Sequence, residues 1–260
     1  MSVRRNRAMT SDLSNEAIFS EAERGIYRPA LIVFAREPIA GRTKTRLIPA
    51  LGARTAAALA HAFNLDTAAK AARIGVRVLV AGAGDGAYFA DLANRAKGRF
   101  IRQGRGDLGE RMARALEPCR LKGAILIGTD TPSLPCSCIA RAIELLNRFP
   151  VVLGPSLDGG YYMVGVRGPM PDIFNDIEWG SSEVFTLTRQ RLAARTMAYA
   201  LAPWWYDVDE PNDLWLLAAH LRLLRRRYGS RVDTSEAWSG TLEQHPCPAT
   251  AKLLQRLRLI

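Results

Sequence analysis

Apolar residues gather in five short runs, ALIVFA (30–35), VRVLVAG (76–82), GAILIG (123–128), VVLG (151–154) and YYMVGV (161–166), each bounded by polar or glycine-containing stretches. Runs of this length, apolar at successive positions and rich in β-branched residues, read as strands buried on both faces. Between the first four the spacing becomes helical, over the alanine-rich Thr55–Arg73, a weaker stretch Ala87–Ala96, then Leu108–Glu117 and Ile139–Asn147. Asp107 followed three residues later by Glu110 is a capping-box pattern that opens the third of these helices. Strand and helix in alternation predict an α/β fold, a mainly parallel twisted sheet with helices on both faces. In such sheets ligands bind beyond the carboxyl ends of the strands. Each chemically suggestive segment of this chain begins where one of the strands stops, which places all of them on a single rim.

A chain of 260 residues with 48% apolar and 23% charged residues can bury one sizeable core. The expected organisation is a poorly ordered leader over 1–28, one α/β domain over 29–228, and an appendage over 229–260 ending in a short amphipathic helix within AKLLQRLRLI. No uncharged apolar run reaches 18 residues, and the first 25 residues lack a secretory apolar core, so a cytoplasmic protein without a membrane span is expected. Cys119, Cys136, Cys138 and Cys247 show no metal-ligand spacing and read as reduced thiols. The net charge of +11 changes the picture only at the ends, where Arg4, Arg5, Arg7 and a series from Arg222 to Arg258 crowd. Such clusters read as solvated faces, and aromatic residues are not interleaved with them as a single-strand platform requires. No obligatory nucleic-acid partner is therefore expected. A non-enzymatic basic protein that binds RNA or membrane through its ends is the alternative class.

Four constellations carry candidate chemistry. The first is VFAREPIAGRTKTRL, in which a strand ends near Ala35 and Gly41 precedes Arg42, Lys44 and Arg46. Backbone N–H groups and cations together suit a polyphosphate, although the G-x-x-x-x-G-K-[ST] pattern is absent. The second, GTDTPSLP, puts Asp130 just past a strand end, where a carboxylate suits Mg²⁺; the competing reading is a helix cap or Asx turn. The third, WWYDVDEPNDLWLL, carries Asp207 and Asp209, which in an extended segment point to opposite sides, and Asp213 at the start of the last long helix. Only one of the first two can then face a metal. The fourth, GPSLDGGYYMVGV, pairs Gly159 and Gly160 after Asp158, either as an acceptor pocket or as a plain hairpin turn.

GRGDLG, residues 104–109, formally matches the dinucleotide fingerprint G-x-G-x-x-G. Its preceding strand is short and basic, and Asp107 would stand among the N–H groups meant for pyrophosphate and repel it. Capping by Asp107 explains the same residues without that electrostatic cost.

Taken in order, FAREPIAGRTKTRL, QGRGDLGERM, IGTDTPSL, LGPSLDGGYYMVGV, IEWGSSEV and DVDEPNDL resemble the bacterial rSAM/selenodomain-associated transferase family. That family lies within the nucleotide-diphospho-sugar transferase superfamily and has a glycosyltransferase-A-like fold; the resemblance spans residues 30 to about 217. It implies a metal-dependent transferase with a nucleotide donor and a small phosphorylated or hydroxylated acceptor. By the resemblance, Arg36, Gly41, Arg42, Lys44 and Arg46 hold donor phosphates, and Gln103, Gly104 and Gly106 lie near the nucleobase. Asp130 and Asp209 are the implied ligands of Mg²⁺ or Mn²⁺, with Lys44, Arg46 and Asp130 the implied catalytic residues. Asp158, Gly159, Gly160, Tyr161, Trp179, Gly180 and Ser181 are the implied acceptor site. The chain departs from the family pattern at Arg36, where many relatives carry lysine, and at Glu210, where threonine is usual. Three cationic side chains on the first loop suit a triphosphate donor and nucleotidyl transfer, with glycosyl transfer from a nucleotide-sugar as the close alternative. No Ser-His-Asp or Cys-His nucleophile is needed, and His61, His220 and His245 are expected to be structural or exposed.

Overall fold

A computed structural model describes residues 28–228 and 246–260. The expected leader, His245 and the first part of the expected appendage lie outside those residues, apart from Arg28. Among the described residues one sheet holds seven strands: β1 (Ala30–Arg36), β2 (Val78–Ala83), β3 (Arg99–Arg102), β4 (Ala124–Gly128), β5 (Val151–Pro155), β6 (Tyr161–Val166) and β7 (Tyr199–Leu201). Their order is β3-β2-β1-β4-β6-β5-β7. The helices are α1 (Ile48–Leu51), α2 (Ala53–Ala71), α3 (Gly86–Arg95), α4 (Leu108–Leu116), α5 (Cys136–Leu146), α6 (Val184–Ala194), α7 (Pro211–Tyr228) and α8 (Pro248–Arg256).

The five apolar runs became β1, β2, β4, β5 and β6. The remaining two strands are edges, too short and too polar to show as buried runs. Helical crossovers make β1, β2, β3 and β4 parallel, and β7 pairs parallel with β5. Only β6 is reversed, antiparallel to β4 and β5. The five-residue connection 156–160 dictates that reversal, because it is far shorter than a parallel crossover. The hairpin reading of Asp158-Gly159-Gly160 is thus correct for the backbone.

Alternate side chains of β1 serve different layers. Leu31, Val33 and Ala35 pack with α2, α3 and α5, through residues such as Ala68, Phe89 and Ile139. Ala30 and Ile32 face Met112 and Leu116 of α4 and Leu192 of α6. Both faces are therefore covered, which is why these strands read as continuous apolar runs rather than alternating ones. Because β2 lies on one side of β1 and β4 on the other, chain direction across the sheet switches there and opens a crevice at the strand ends.

A third apolar cluster lies outside this sandwich, where Leu59 and Phe63 of α2 meet Leu217 and Leu221 of α7 and Ala251 and Leu254 of α8. The helix expected near the C-terminus is present as α8, and it is built into the domain. Asp66 of α2, 1% exposed, accepts hydrogen bonds from Ala249 N and Thr250 N at 2.8 Å each and from Thr250 Oγ1 at 2.6 Å. A carboxylate of a neighbouring helix thus satisfies the first free N–H groups of α8 and complements its dipole. One turn along α2, the buried Lys70 ammonium donates to the Pro132 carbonyl in the loop after β4. Among the described residues no helix is long and apolar enough to cross a membrane.

Replacing Asp66 by alanine strands three donors in a dry environment. Asp66→Ala should lower stability by roughly 2–3 kcal/mol, read from urea denaturation, by the scale of a lost cap plus unsatisfied buried groups.

Candidate functional site

The loop after β1 closes on itself before it reaches the crevice. Thr43 Oγ1 donates to the Glu37 carbonyl and accepts from Ile39 N, both at 3.1 Å, and the N–H groups of Arg42 and Thr43 donate to the Ile39 carbonyl. Lys44 then takes a left-handed backbone conformation, φ 50°, which a non-glycine residue adopts only when its surroundings compensate. Compensation comes from its side chain. Lys44 Nζ lies 2.5 Å from Asp130 Oδ1 and 2.6 Å from Asp209 Oδ1, donates to the Val208 carbonyl at 2.7 Å, and sits 5.3 Å from the centre of the Phe63 ring.

Burial lowers the Lys44 pKa, but the two carboxylates outweigh it and the net shift is upward, so the ammonium stays charged. Asp209 shows the mirror image, with burial opposing and Lys44 prevailing to hold it below the usual carboxylate value. The Lys44 side chain is only 4% exposed, whereas Asp130 is 51% exposed, so the ion pair is sealed on the lysine side and open on the carboxylate side.

Two cavities meet at this triad. The first, about 390 Å³, is walled by Arg36, Lys44, Asn64, Gln103 and Arg111, with Phe34, Leu126 and Val164 beneath. The second, about 220 Å³, is walled by Ser156, Asp158, Gly160, Trp179, Gly180, Ser181 and Asp207. Asp130, Asp209 and Tyr161 line both.

The second wall depends on two glycines. Gly159 has φ 88°, and a Cβ on it would stand 2.1 Å from the Ser182 carbonyl oxygen, so only glycine lets the β5–β6 turn meet the 181–184 segment. At Gly109 a Cβ would stand 2.1 Å from the Phe174 carbonyl oxygen and 2.7 Å from the Trp179 ring, which fixes how closely α4 approaches that wall.

The implied site residues separate accordingly. Arg36, Lys44, Gln103, Asp130 and Asp209 come together in the first cavity, and Asp158, Gly160, Tyr161, Trp179, Gly180 and Ser181 in the second. Gly41, Arg42, Arg46, Gly104, Gly106 and Gly159 line neither. Arg42 faces a neighbouring recess with Arg36 and Arg111, and Arg46 pairs at the surface with Glu210 at 3.2 Å. Of the loop's three cations beyond Gly41, one reaches the crevice.

Gln103 is fully committed: its Nε2 donates to the Ala35 and Ala81 carbonyls at 2.9 Å each, and its Oε1 accepts from Arg111 Nη1 at 3.0 Å. It therefore positions Arg111, which sequence reasoning did not name. The signal was available, since a capped helix starting at Leu108 aims its first turn at the crevice. The capping box itself is formed, with Asp107 Oδ1 accepting from Glu110 N at 2.8 Å and Glu110 Oε2 accepting from Asp107 N at 2.9 Å. Asn64 was also missed; it was legible only as a polar residue at an apolar position of α2.

The expectation that Asp207 and Asp209 point to opposite sides does not hold, because both line the second cavity. Residues 202–210 make only an isolated bridge at Trp205 and are no regular strand, so no period of two is imposed on them. Asp207 Oδ1 accepts from Ser156 Oγ at 3.0 Å. Burial, then the charges of Asp158 and Asp209, push the Asp207 carboxyl up to about 7. Asp213 caps the entry to α7 as expected, accepting from Asp209 N at 3.0 Å and Glu210 N at 2.7 Å. His61 and His220 each bond a tyrosine hydroxyl, Tyr88 and Tyr206, away from the triad. None of the four cysteines forms a disulfide.

Among the described residues no group of three or more His, Cys, Asp or Glu side chains converges on one point. Asp130 and Asp209 do converge as a pair, and the ammonium between them marks a place that demands positive charge. Two carboxylate oxygens suit Mg²⁺ or Mn²⁺, whose other positions go to water and phosphate oxygens. The pair therefore fits such an ion, provided Lys44 withdraws.

This architecture is the nucleotide-diphospho-sugar transferase fold, glycosyltransferase-A-like in type. Residues 64–181 match the model of a family described as "Uncharacterized protein conserved in bacteria (DUF2064)". A crystal structure from Desulfovibrio desulfuricans G20, described as a "putative nucleotide-diphospho-sugar transferase", is similar with 26% identity and a TM-score of 0.68, over 87% of this chain and 96% of that one. The 4-diphosphocytidyl-2C-methyl-D-erythritol synthase of Anaerococcus prevotii DSM 20548 shares the fold at 11% identity and a TM-score of 0.51, over 78% of this chain and 100% of that one. No curated protein matches the chain.

The pKa of Asp207 fixes a pH dependence. A folded value above the ordinary 3.8 means that the folded state keeps a proton the unfolded chain gives up, so stability should fall as pH rises from about 3.8 through about 7. Asp209, shifted the other way, titrates below that window. Across it, urea midpoints of the wild type should fall relative to those of Asp207→Asn, which lacks this titration.

Proposed function

We propose that the protein is a nucleotide-dependent transferase that moves a nucleotidyl group from a nucleoside triphosphate to a small acceptor. The observation that carries this reading is the junction of two cavities of opposite charge at Asp130 and Asp209. The similarity to the Desulfovibrio desulfuricans G20 protein supports the broader class. Arg36, Lys44 and Arg111 offer cations to donor phosphates, and the apolar floor of the first cavity suits a base.

In the reaction, an acceptor hydroxyl oxygen bonds to the α-phosphorus and the bond to the α–β bridging oxygen breaks. Pyrophosphate leaves with that electron pair, and the hydroxyl proton passes to water on the exposed carboxylate side. The chain's own part is to hold donor and acceptor in line and to place charge where the leaving oxygens develop it. Asp130 and Asp209 would hold Mg²⁺ or Mn²⁺, which would neutralise charge on the donor phosphates. Donor phosphate oxygens would compete with the two carboxylates for the Lys44 ammonium.

Glycosyl transfer from a nucleotide-sugar is the second reading, favoured by one observation: Arg42 and Arg46 line neither cavity, so the first loop supplies a single cation to the donor. Product analysis separates the two. Pyrophosphate released from a triphosphate supports the first reading, and a nucleoside diphosphate released from a nucleotide-sugar supports the second.

Substitutions grade the cations. Lys44→Ala and Arg111→Ala should each weaken nucleotide binding by roughly 1.5–3 kcal/mol in calorimetry, the scale of hydrogen bonds to charged groups. Arg46→Ala, which breaks an exposed pair, should cost about 1 kcal/mol or less. Asp130→Asn should abolish turnover in a protein that stays folded by circular dichroism, and should remove most of the gain in nucleotide affinity on adding Mg²⁺. An active Asp130→Asn protein would sink this assignment.

A further inference from the structure

The two cavities differ in charge, and the difference selects the acceptor. Four carboxyl groups line the second cavity, Asp130, Asp158, Asp207 and Asp209, and no lysine, arginine or histidine does. Lys44 compensates Asp130 and Asp209 from the other side. Asp158 and Asp207 make no ion pair among the described residues. Their hydrogen bonds come from neutral donors, Gly160 N to Asp158 at 2.9 Å and Ser156 Oγ to Asp207 at 3.0 Å. Asp158 Oδ2 accepts no hydrogen bond among the described residues and is open to a ligand, while the Asp207 carboxyl also bonds that of Asp209.

We infer that the acceptor is a small polyol carrying no phosphate or carboxylate group, held in the second cavity by Asp158 and Asp207 and by the ring of Trp179. This inference rests on the transfer reading above and narrows it. Carboxylate oxygens accept hydrogen bonds from adjacent hydroxyls, and Ser156 and Ser181 add groups that both donate and accept. An aromatic face takes the apolar C–H side of such a molecule. A phosphate ester would instead bring two negative charges beside the uncompensated Asp158 carboxylate, with no cation in the wall to receive it. The volume of about 220 Å³ suits a molecule the size of a monosaccharide or cyclitol. Its hydroxyl reacts as written above, so the product joins the nucleotide to the polyol through a single phosphodiester.

The test uses the full chain saturated with whichever of ATP, CTP, GTP or UTP binds most tightly in calorimetry. Matched pairs are then titrated by ligand-observed NMR: glycerol and glycerol 3-phosphate, myo-inositol and myo-inositol 1-phosphate, glucose and glucose 1-phosphate. The expected result is that the neutral member of at least one pair binds about tenfold or more tightly than its ester, a gap of about 1.4 kcal/mol. Asp158 is exposed on a turn, so its replacement leaves the core intact. Asp158→Asn should weaken polyol binding, and Asp158→Lys should shift the preference toward the ester by about tenfold or more. Esters that bind the wild type as well as the polyols or better, binding by no polyol, or an Asp158→Lys protein with an unchanged ratio would each overturn the inference. Failure of all four nucleotides to bind is a separate result that removes the transfer reading itself.

Discussion

One ammonium group organises the rim of this protein. Lys44 belongs to the first loop after the sheet begins, Asp130 to the loop after the central strand β4, and Asp209 to the segment that leads into α7. Sequence separations of 164 and 165 residues are closed at one nitrogen that contacts the Val208 carbonyl and the Asp209 carboxylate. The left-handed backbone at Lys44 is what such a closure costs locally, and the internal hydrogen bonds of the 37–43 turn make that conformation available. Further bonds hold the same two segments in register: Val208 N donates to the Asp130 carbonyl at 2.9 Å, and Ser133 bonds both Trp205 and Tyr206. The fold itself consequently fixes where the two carboxylates stand.

The same geometry divides the crevice. A strip of shared residues, Asp130 among them, separates a cavity lined by Arg36, Lys44 and Arg111 from one whose charged wall is acidic alone. The division comes from topology. Parallel strands β1 to β4 deliver the cationic side, whereas the reversed strand β6, entered through the Asp158 turn, delivers Tyr161 to both. A sheet with a further parallel strand in place of β6 would have sent that turn to the opposite edge.

Much of this was legible in the residues, and the failures have physical causes. Buried strands announce themselves as apolar runs, so β1, β2, β4, β5 and β6 were readable, while the three-residue edge strand β7 was not, since an edge needs no such run. Asp130 was legible because its position follows from the end of a readable strand. Lys44 was legible as a cation on that rim, but its role as the bridge between two acids depends on a contact across most of the chain, which spacing cannot encode. Arg42 and Arg46 look equivalent to Lys44 in the sequence; one left-handed residue turns one of the three side chains inward and leaves the others at the surface. The alternation assumed for Asp207 and Asp209 failed for a related reason, because a segment with a single bridge has no pleat to enforce it.

Asp66 and Lys70, one turn apart on α2, tie the last helix to the loop of Asp130. The first takes up the free N–H groups of α8, and the second bonds the carbonyl of Pro132, two residues beyond Asp130. Burial raises the pKa of one and lowers that of the other, so both pay for their place in the dry layer beneath the rim. The end of the chain is therefore an architectural strut of the crevice rather than a trailing segment. A shortened form that stops before Cys247 would admit water to that layer, so any excised or transplanted version of the domain has to carry its final helix with it.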